Sequence, residues 1–246
     1  MKKNKKFFVI ILSAFVMLIN VFTIMGCGGG LKADSKNLGF SLSEDGTYYA
    51  LIDVMKCEDK EIVIPSLYEG LPVKEIRSFS TKGSFDRDPE RILREEGKSL
   101  VIPASVTKIN EEAFLLAVFV SIEVDKKNEN YASIDGNLYT KDEKRLIKFA
   151  QDQSYFVIPD GVERIENYAF EGSWVSLLSI PVSVTSIGQS AFYNNLLDTS
   201  TIDFIEFKGT IAQWEAIEKY PTWHYGLWGV SVSCSDGTVE IEKPEF

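Results

Sequence analysis

Residues 101–114, VIPASVTKINEEAF, recur along the chain as VIPDGVERIENYAF at 157–170 and as SIPVSVTSIGQSAF at 179–192. Counted from the proline, each copy keeps a valine at +3, an isoleucine at +6, an alanine at +10 and a phenylalanine at +11. A degenerate copy contains Pro65, and the prolines of the last two clean copies, Pro159 and Pro181, lie 22 residues apart. Self-similarity at a fixed spacing of this size is typical of a solenoid, in which each repeat forms one coil.

The retained residues have distinct roles in such a coil. Apolar residues alternate before each proline, which predicts a short strand with one face turned inward. The inward residues are Ile62, Ile64, Leu100, Ile102, Phe156, Ile158, Leu178 and Ile180. Proline ends the strand because it has no N–H to donate, the alanine marks a close backbone approach, and the phenylalanine fills the coil. Since one coil alone cannot bury these faces, the coils must stack.

The IPxxVxxIxxxAF unit resembles the BspA-like, or Treponema pallidum-type, leucine-rich repeats of bacterial surface proteins. The resemblance extends upstream through EDGTYYALIDVMKCEDKEIVIPSLYEGLPVKEI at 44–76, and downstream through FKGTIAQWEAI at 207–217 and CSDGTVEI at 234–241. It implies a β-rich leucine-rich-repeat solenoid over residues 40–241, with short parallel strands stacked coil on coil. It also implies adhesion or binding, although a fold does not by itself fix a function.

Departures from regular spacing predict insertions and a cap. The sequence at about 84–97 predicts a short helix that begins at Asp88 and stops at Gly97. That helix is expected to be a surface excursion or, alternatively, a partner-binding element. The sequence at about 128–152 contains short alternating runs, which predict a small antiparallel β-meander flanking the solenoid. Residues 204–241 are predicted to cap its end.

The amino terminus predicts export and lipid anchoring. Residues 1–26 combine a lysine-rich start, MKKNKK, with an apolar run that ends just before Cys27, a pattern that resembles a bacterial lipoprotein signal peptide. Cleavage there would make lipidated Cys27 the first residue, followed by a flexible tether over 27–39. The alternative is an uncleaved transmembrane helix, since about 20 apolar residues suffice to cross a bilayer. Both alternatives place the rest of the chain outside the cytoplasmic membrane.

The charge of the chain excludes a nucleic-acid partner. The full sequence has a formal charge of −10. Residues 1–26 hold four lysines and no acids, so the remainder has 22 basic against 36 acidic residues, a charge of −14. A chain so acidic, without a basic stripe, cannot hold a phosphate backbone by counterion release.

No motif in the sequence indicates catalysis, a cofactor or a metal. His224 is the single histidine, which excludes a multi-histidine metal site, and no serine has the glycines of a nucleophile elbow. The segment DKKNENYASIDG lacks the glycine and the glutamate of a calcium loop. Cys57 and Cys234 lie near opposite ends of the solenoid, too far apart for a disulfide, and are predicted to be small buried residues.

Two surfaces are candidates for a protein or glycan partner. The outward residues of the four strands are expected to form one narrow, mostly apolar stripe. They are Val63, Val101, Val157 and Ser179. The second candidate is the aromatic segment PTWHYGLW at 221–228, which contains Trp223 and Trp228. The alternative for this region is structural, with a helix that carries Trp214 plugging the open end of the solenoid.

The sequence therefore favours a lipid-anchored, non-catalytic binding protein of the cell surface, without a cofactor. The alternatives are a secreted hydrolase built on a repeat scaffold and a self-associating structural component of the envelope. A deep pocket with convergent acids of perturbed pKa would indicate the hydrolase, because a smooth solenoid face lacks such a pocket.

Replacing Cys27 by serine tests the anchor. Two or more acyl chains hold a protein firmly to a membrane, because each buried methylene contributes about 0.8 kcal/mol. We expect Cys27→Ser to leave an unprocessed precursor that takes up no radiolabelled palmitate, whereas the parent chain is labelled. Labelling of the variant at the parent's level, or a mature chain that begins at another residue, would contradict the prediction.

Overall fold

The computed structural model describes residues 33–54, 57–79, 98–115, 117–150, 153–193, 200–227 and 229–241. The predicted signal peptide, Cys27, the helix predicted at about 84–97 and Trp228 lie outside the described residues. The strands are β1 (Gly39–Leu42), β2 (Tyr49–Asp53), β3 (Glu61–Val63), β4 (Leu67–Tyr68), β5 (Leu71–Ile76), β6 (Lys98–Ile102), β7 (Lys108–Ile109), β8 (Phe119–Val124), β9 (Tyr131–Ile134), β10 (Asn137–Thr140), β11 (Arg145–Lys148), β12 (Tyr155–Val157), β13 (Arg164–Ile165), β14 (Leu177–Ile180), β15 (Ser186–Ile187), β16 (Phe204–Phe207), β17 (Glu218–Lys219), β18 (Ser231–Cys234) and β19 (Gly237–Glu240). A short helix, α1, spans Ile211–Ala216.

Two parallel sheets contain the strands that precede the prolines. β3, β6 and β8 form the first sheet. β12, β14, β16 and β18 form the second, and β19 adds to its end in the antiparallel direction. In the second sheet Phe156 pairs with Leu178, and Leu178 pairs with Ile205. All the strand residues that were predicted to face inward are buried, so the predicted orientation of these strands is confirmed.

Short strands after the prolines form separate ladders. β13, β15 and β17 pair in parallel, whereas β7 pairs with β5 in a sheet that also holds β1, β2 and β4. Between the two strands of a coil, the N–H of the valine at +3 donates to the carbonyl of the proline. The distance is 3.2–3.3 Å for Val106, Val162 and Val184. This bond closes a β-turn, which explains why proline and valine keep their spacing.

The alanine and the phenylalanine of each repeat join successive coils. The N–H of Phe149 donates to the carbonyl of Ala169, and the N–H of Phe170 donates to the carbonyl of Ala191, both at 2.8 Å. The alanines of all three clean copies have no exposed surface. A larger side chain at these positions would collide with the neighbouring coil, because folded interiors are close-packed.

The phenylalanine rings stack along the later coils. The ring centres of Phe149 and Phe170 lie 5.1 Å apart, and those of Phe170 and Phe192 lie 5.5 Å apart. Trp223 continues the stack edge-on, 6.0 Å from Phe192. Aromatic pairs at these distances add to the stabilisation that burial alone provides. The predicted role of phenylalanine as the filler of each coil is confirmed.

The predicted β-meander is present, but it lies within the stack and not beside it. β9, β10 and β11 pair antiparallel, and β11 pairs parallel with β13, so the meander extends the second ladder. Leu138 and Tyr139 in β10 are fully buried, each in a different hydrophobic core. Neighbouring strand residues face opposite sides, so β10 is covered on both faces. The alternating sequence predicted the strands, but it did not show that both of their faces are buried.

Three strands belong to coils that lack the proline. They are β8, β16 and β18, and their pairing places Asp125, Lys208 and Ser235 where other coils have proline. In the β8 coil the buried Asn128 replaces the valine, and its amide nitrogen donates to the carbonyls of Pro103 and Val106 at 2.9 Å. The cap predicted at 204–241 therefore contains two further parallel strands before β19 reverses direction.

The amino-terminal segment covers the edge of β3. The N–H of Ser35 donates to the carbonyl of Val63 at 3.0 Å, and the Ser35 hydroxyl accepts from the Val63 N–H at 3.0 Å. The same hydroxyl donates to the carbonyl of Glu61 at 3.1 Å. Ser35, which lies within the tether predicted over 27–39, is therefore part of the folded unit.

Helix α1 carries Trp214 on its buried side, as predicted, and begins at a capping box. The hydroxyl of Thr210 accepts from the Gln213 N–H, and the Gln213 side chain accepts from the Thr210 N–H at 2.9 Å, which forms a capping box. Trp214 is 2% exposed and its ring centre lies 5.4 Å from that of Phe207. Among the described residues, α1 included, no helix has the length and apolar composition needed to cross a bilayer.

Both described cysteines are free thiols. Cys57 is buried in one hydrophobic core, whereas Cys234 is half-buried against the other. The prediction that they form no disulfide is confirmed. Cys234 is less buried than expected, because it ends β18 beside the terminal hairpin.

Truncation of one ring in the stack tests the register of the coils. Phe170 is 1% exposed and contacts the rings of Phe149 and Phe192, so Phe170→Ala should lower the free energy of unfolding by about 3–5 kcal/mol through lost burial and a cavity. Glu163 forms an exposed ion pair with Lys144, so Glu163→Ala should cost less than about 1 kcal/mol. Urea denaturation measures both, and equal losses would contradict the register.

Candidate functional site

The predicted stripe of outward strand residues is not one exposed surface. The exposed fractions are 8% for Val63, 46% for Val157 and 1% for Ser179, and Val101 is half-buried. Val63 is covered because the segment around Ser35 pairs with β3. Ser179 is covered because it lies between Val157 and Glu206, and its hydroxyl donates to Glu206 at 3.1 Å. The expected exposure of Val63 and Ser179 is therefore wrong. The four strands are also divided between two sheets.

An exposed apolar row lies two residues earlier in the second sheet. Tyr155, Leu177 and Phe204 pair in register on β12, β14 and β16, and their exposed fractions are 55%, 43% and 40%. We call these three residues the apolar row. Adjacent strands lie about 4.8 Å apart, so the row is roughly 10 Å long. Val157, on the same face of β12, adds a fourth exposed apolar side chain.

The sequence contained a signal for the apolar row at the position four residues before the proline. Tyr155 and Leu177 both stand four residues before a proline, and both are large and apolar. Phe204 has no proline after it, so only the pairing of β14 with β16 reveals that it belongs to the same row. In the first sheet the corresponding residues are polar: Glu61 pairs with Ser99, and Ser99 pairs with Ser121. The apolar row is thus a property of the later coils and not of the repeat in general.

Trp223 in the aromatic segment contacts the core. Its ring meets Phe192 and Trp214 edge-on, with centre distances of 6.0 and 5.7 Å. His224 lies against Trp223 at 5.3 Å, and burial lowers the pKa of this imidazole. These contacts favour the structural alternative for Trp223. Trp228, the other candidate in this segment, lies outside the described residues.

A shallow polar depression crosses the ladder of β11, β13 and β15. The guanidinium groups of Arg145 and Arg164 both contact Glu166, and Arg164 also donates to the Ser186 hydroxyl at 3.0 Å. Lys144 on the same surface donates to Glu163 at 2.7 Å. Each of these cations therefore faces a carboxylate. An arrangement of paired charges leaves little attraction for an added anion or cation.

The buried carboxylate of Glu75 does not resemble a general acid. It accepts from Lys108 at 2.8 Å and from Arg77 at 2.9 Å. Burial alone would raise the pKa of Glu75, but the hydrogen bonds from Lys108 and Arg77 lower it overall. A general acid that acts near neutral pH needs a raised pKa. This cluster therefore gives no support to the hydrolase alternative.

Lys148 is a buried cation that sequence reasoning missed. It is 1% exposed, and its ammonium group donates to the carbonyl of Glu171 at 2.6 Å. Burial lowers the pKa of Lys148 to about 8, although the Glu171 carboxylate partly opposes that shift. Lys148 ends β11, whose sequence RLIK has a charged residue at each end, and a lysine at the end of a strand is usually exposed. Nothing in the local sequence distinguished the two situations.

The repeats match a known family. Residues 148–214 match the family model described as "BspA type Leucine rich repeat region (6 copies)". These residues carry BspA-type leucine-rich repeats. The matched segment runs from the end of β11 into α1, so it contains all three strands of the apolar row. The predicted β-rich leucine-rich-repeat fold is confirmed.

Solved structures of low sequence identity are similar to this chain. The pneumococcal vaccine antigen PcpA is 24% identical over 44% of this chain and 29% of its own, with a TM-score of 0.38. A Treponema pallidum leucine-rich repeat protein is 18% identical over 71% of each chain, with a TM-score of 0.37. A leucine-rich cell surface protein from Faecalibacterium prausnitzii is 14% identical over 78% of this chain and 98% of its own, with a TM-score of 0.30. This chain spans less than a third of the PcpA chain, and comparison with curated proteins gave no match.

Replacing Lys148 by methionine should change the pH dependence of stability. The pKa of Lys148 is about 8 in the folded chain and 10.5 as the ordinary value. Between these values the unfolded chain binds more protons than the folded chain, so stability rises with pH. Below about pH 8 both states are charged and the full cost of burying the ammonium group is present. The free energy of unfolding of the parent, minus that of Lys148→Met, should therefore increase by about 3 kcal/mol from about pH 8 to about pH 10.5.

Lys144→Met provides the matched control for the Lys148 experiment. The hydrogen bond to Glu163 raises the pKa of Lys144, so the contribution of Lys144 to stability should be lost, not gained, as the pH rises through that pKa. Urea denaturation at a series of pH values measures both differences. A flat or falling difference for Lys148→Met would contradict the burial of a titrating ammonium group.

Proposed function

We propose that this chain is a non-catalytic binding protein that is held at the bacterial cell surface by lipid on Cys27. The observation that supports binding is the apolar row, in which three large apolar side chains are exposed side by side on adjacent strands. Single exposed apolar residues are common, but a contiguous apolar surface typically marks an interaction site. The partner is a protein or a glycan.

The repeat scaffold supports this function by fixing the row in place. Behind each exposed residue the next one along the strand is buried, namely Phe156, Leu178 and Ile205. Backbone pairing between the three strands holds the exposed side chains at a set spacing. A surface that is already ordered loses little conformational entropy on binding. Repeat proteins commonly bind through such extended faces, since each coil contributes a small part of the contact.

The sequence before the folded unit supports the proposed surface location. The lysine-rich start, the apolar run and Cys27 resemble a lipoprotein signal, and BspA-type repeats resemble those of bacterial surface proteins. Lipidation at Cys27 would place the repeats, and with them the apolar row, outside the cytoplasmic membrane.

Display on intact bacteria tests the proposal. Cells that express the full chain are treated with a protease that cannot enter them, and parallel samples are tested for binding to immobilised protein and glycan extracts. We expect the parent chain to be cleaved on intact cells and the cells to bind. Cells that express the chain without residues 1–26 should lose both properties because the export signal is missing, whereas Glu163→Ala cells should behave like the parent.

Two results would overturn the proposal. A chain that stays protected from protease in intact cells, yet is cleaved after lysis, would contradict a surface location. A bound protein or glycan that is hydrolysed by the purified full chain would show an enzyme, since a binding protein returns its partner chemically unchanged.

A further inference from the structure

The apolar row has a defined margin on the second sheet. Phe204 lies opposite Ser231 of β18, and Ser231 in turn pairs with Glu240 of β19. Glu240 and Asp203 are exposed, and Glu206 lies on the same face as Phe204, two residues along β16. The row therefore runs from an aromatic end at Tyr155 towards acidic side chains.

The charges around the row are unbalanced. The acids at its margin are Asp203, Glu206 and Glu240. Among the described residues within and directly beside the strands of this sheet, Lys208 is the one cation, and it pairs with Glu206 at 2.6 Å. Strands β12 and β14 carry no charged residue within their bounds. The surface thus combines an uncharged apolar centre with a net negative border, and this combination is complementary to a partner that is both apolar and basic.

The small apolar area of the row favours a narrow ligand over a second copy of this chain. An aromatic side chain buries about 150–250 Å² when fully covered. At the exposed fractions of Tyr155, Val157, Leu177 and Phe204, the four side chains offer roughly 350 Å² of apolar surface. A stable interface between two folded proteins needs about 800 Å² from each partner. A narrow ligand that lies along the row fits this area better than a second folded domain.

The side chains of the row favour a polypeptide over a glycan. Sugars are recognised by stacking on aromatic faces, but Leu177 at the centre and Val157 beside Tyr155 are aliphatic. Aliphatic side chains contact other apolar side chains without a specific geometry, which suits a peptide segment. A neutral glycan also carries no positive charge for the acidic border formed by Asp203 and Glu240 to attract.

We propose that the apolar row binds a polypeptide segment in which aliphatic or aromatic side chains alternate with lysine or arginine. This inference rests on the proposed binding function and assigns its site and the chemistry of its partner. The apolar side chains of the segment pack against Tyr155, Leu177 and Phe204, and its basic side chains reach Asp203 and Glu240. The negative charge of the whole chain, −10 formally, adds long-range attraction for such a segment.

Binding of designed peptides to the full chain tests this proposal. The probe is a short capped peptide with alternating leucine and lysine, and the reference peptides replace every lysine by glutamate or every leucine by serine. Fluorescence anisotropy of labelled peptides gives the dissociation constants. We expect the leucine–lysine peptide to bind, and both reference peptides to bind at least about tenfold more weakly. Added salt should weaken the binding without abolishing it, because the apolar contacts remain.

Substitutions in the row separate specific from general attraction. Leu177→Thr and Phe204→Thr keep strand-forming side chains and should each weaken binding of the leucine–lysine peptide about tenfold. Leu67→Thr is the matched control, because Leu67 is a strand residue that is 60% exposed in a different sheet, and it should leave binding unchanged. Thermal melting verifies that all three variants stay folded. Asp203→Asn should weaken binding less than Leu177→Thr does and should reduce its salt dependence.

Four outcomes would overturn the inference. The first is equal weakening by Leu177→Thr and Leu67→Thr, which would show non-specific attraction of a basic peptide to an acidic chain. The second is a neutral oligosaccharide that binds to the parent and not to Leu177→Thr. The third is a dimer of the full chain that Leu177→Thr dissociates in sedimentation analysis. The fourth is intact cells that bind their partner undiminished with Leu177→Thr, in which case surface binding would stand and the assigned site would fall.

Discussion

The hydrogen bond from a phenylalanine N–H to the alanine carbonyl of the next coil sets the spacing on which the rest of the structure depends. It recurs at 2.8 Å between Phe149 and Ala169 and between Phe170 and Ala191. The buried methyl groups allow the backbones to approach, and the rings then stack at 5.1–5.5 Å. With the coils held at this distance, the strands before each proline pair in register, and their outward side chains align into rows.

The periodic positions of the repeat predicted the fold because each of them has a cause within one coil. Proline ends a strand, valine closes a turn and alanine permits a close approach of two coils. The pattern of these residues therefore predicted the solenoid, and it also predicted that residues such as Leu178 face inward. Coils without proline escaped this reasoning. In the β8 coil the side-chain amide of Asn128 donates to the carbonyls of Pro103 and Val106. Asn128 takes the place of the valine, but its polar side chain does not resemble valine, so the repeat pattern does not reveal it.

Exposure could not be predicted in the same way, because it depends on neighbours in adjacent coils. Val157 and Ser179 occupy the same position in their repeats, yet one is 46% exposed and the other 1%. The difference arises because β14 has a strand on each side, whereas β12 is at the end of its sheet. The same reason hid the apolar row, since Phe204 joins it only through the pairing of β16. Lys148 illustrates the limit most clearly, because its burial is a property of the meander that surrounds it.

The two-sided burial of β10 gives the fold a cooperativity that a uniform array of coils would not have. In a simple repeat protein each coil is stabilised by its nearest neighbours, so the array can fray from either end. Here Leu138 is part of one core and Tyr139 is part of the other, and loss of either half would expose one face of the same strand. The 22-residue coil that begins at Pro159 is a module that can be duplicated or deleted as a whole, because each coil contacts only its neighbours. The hairpin that contains β10 cannot, because its removal would uncouple the two halves.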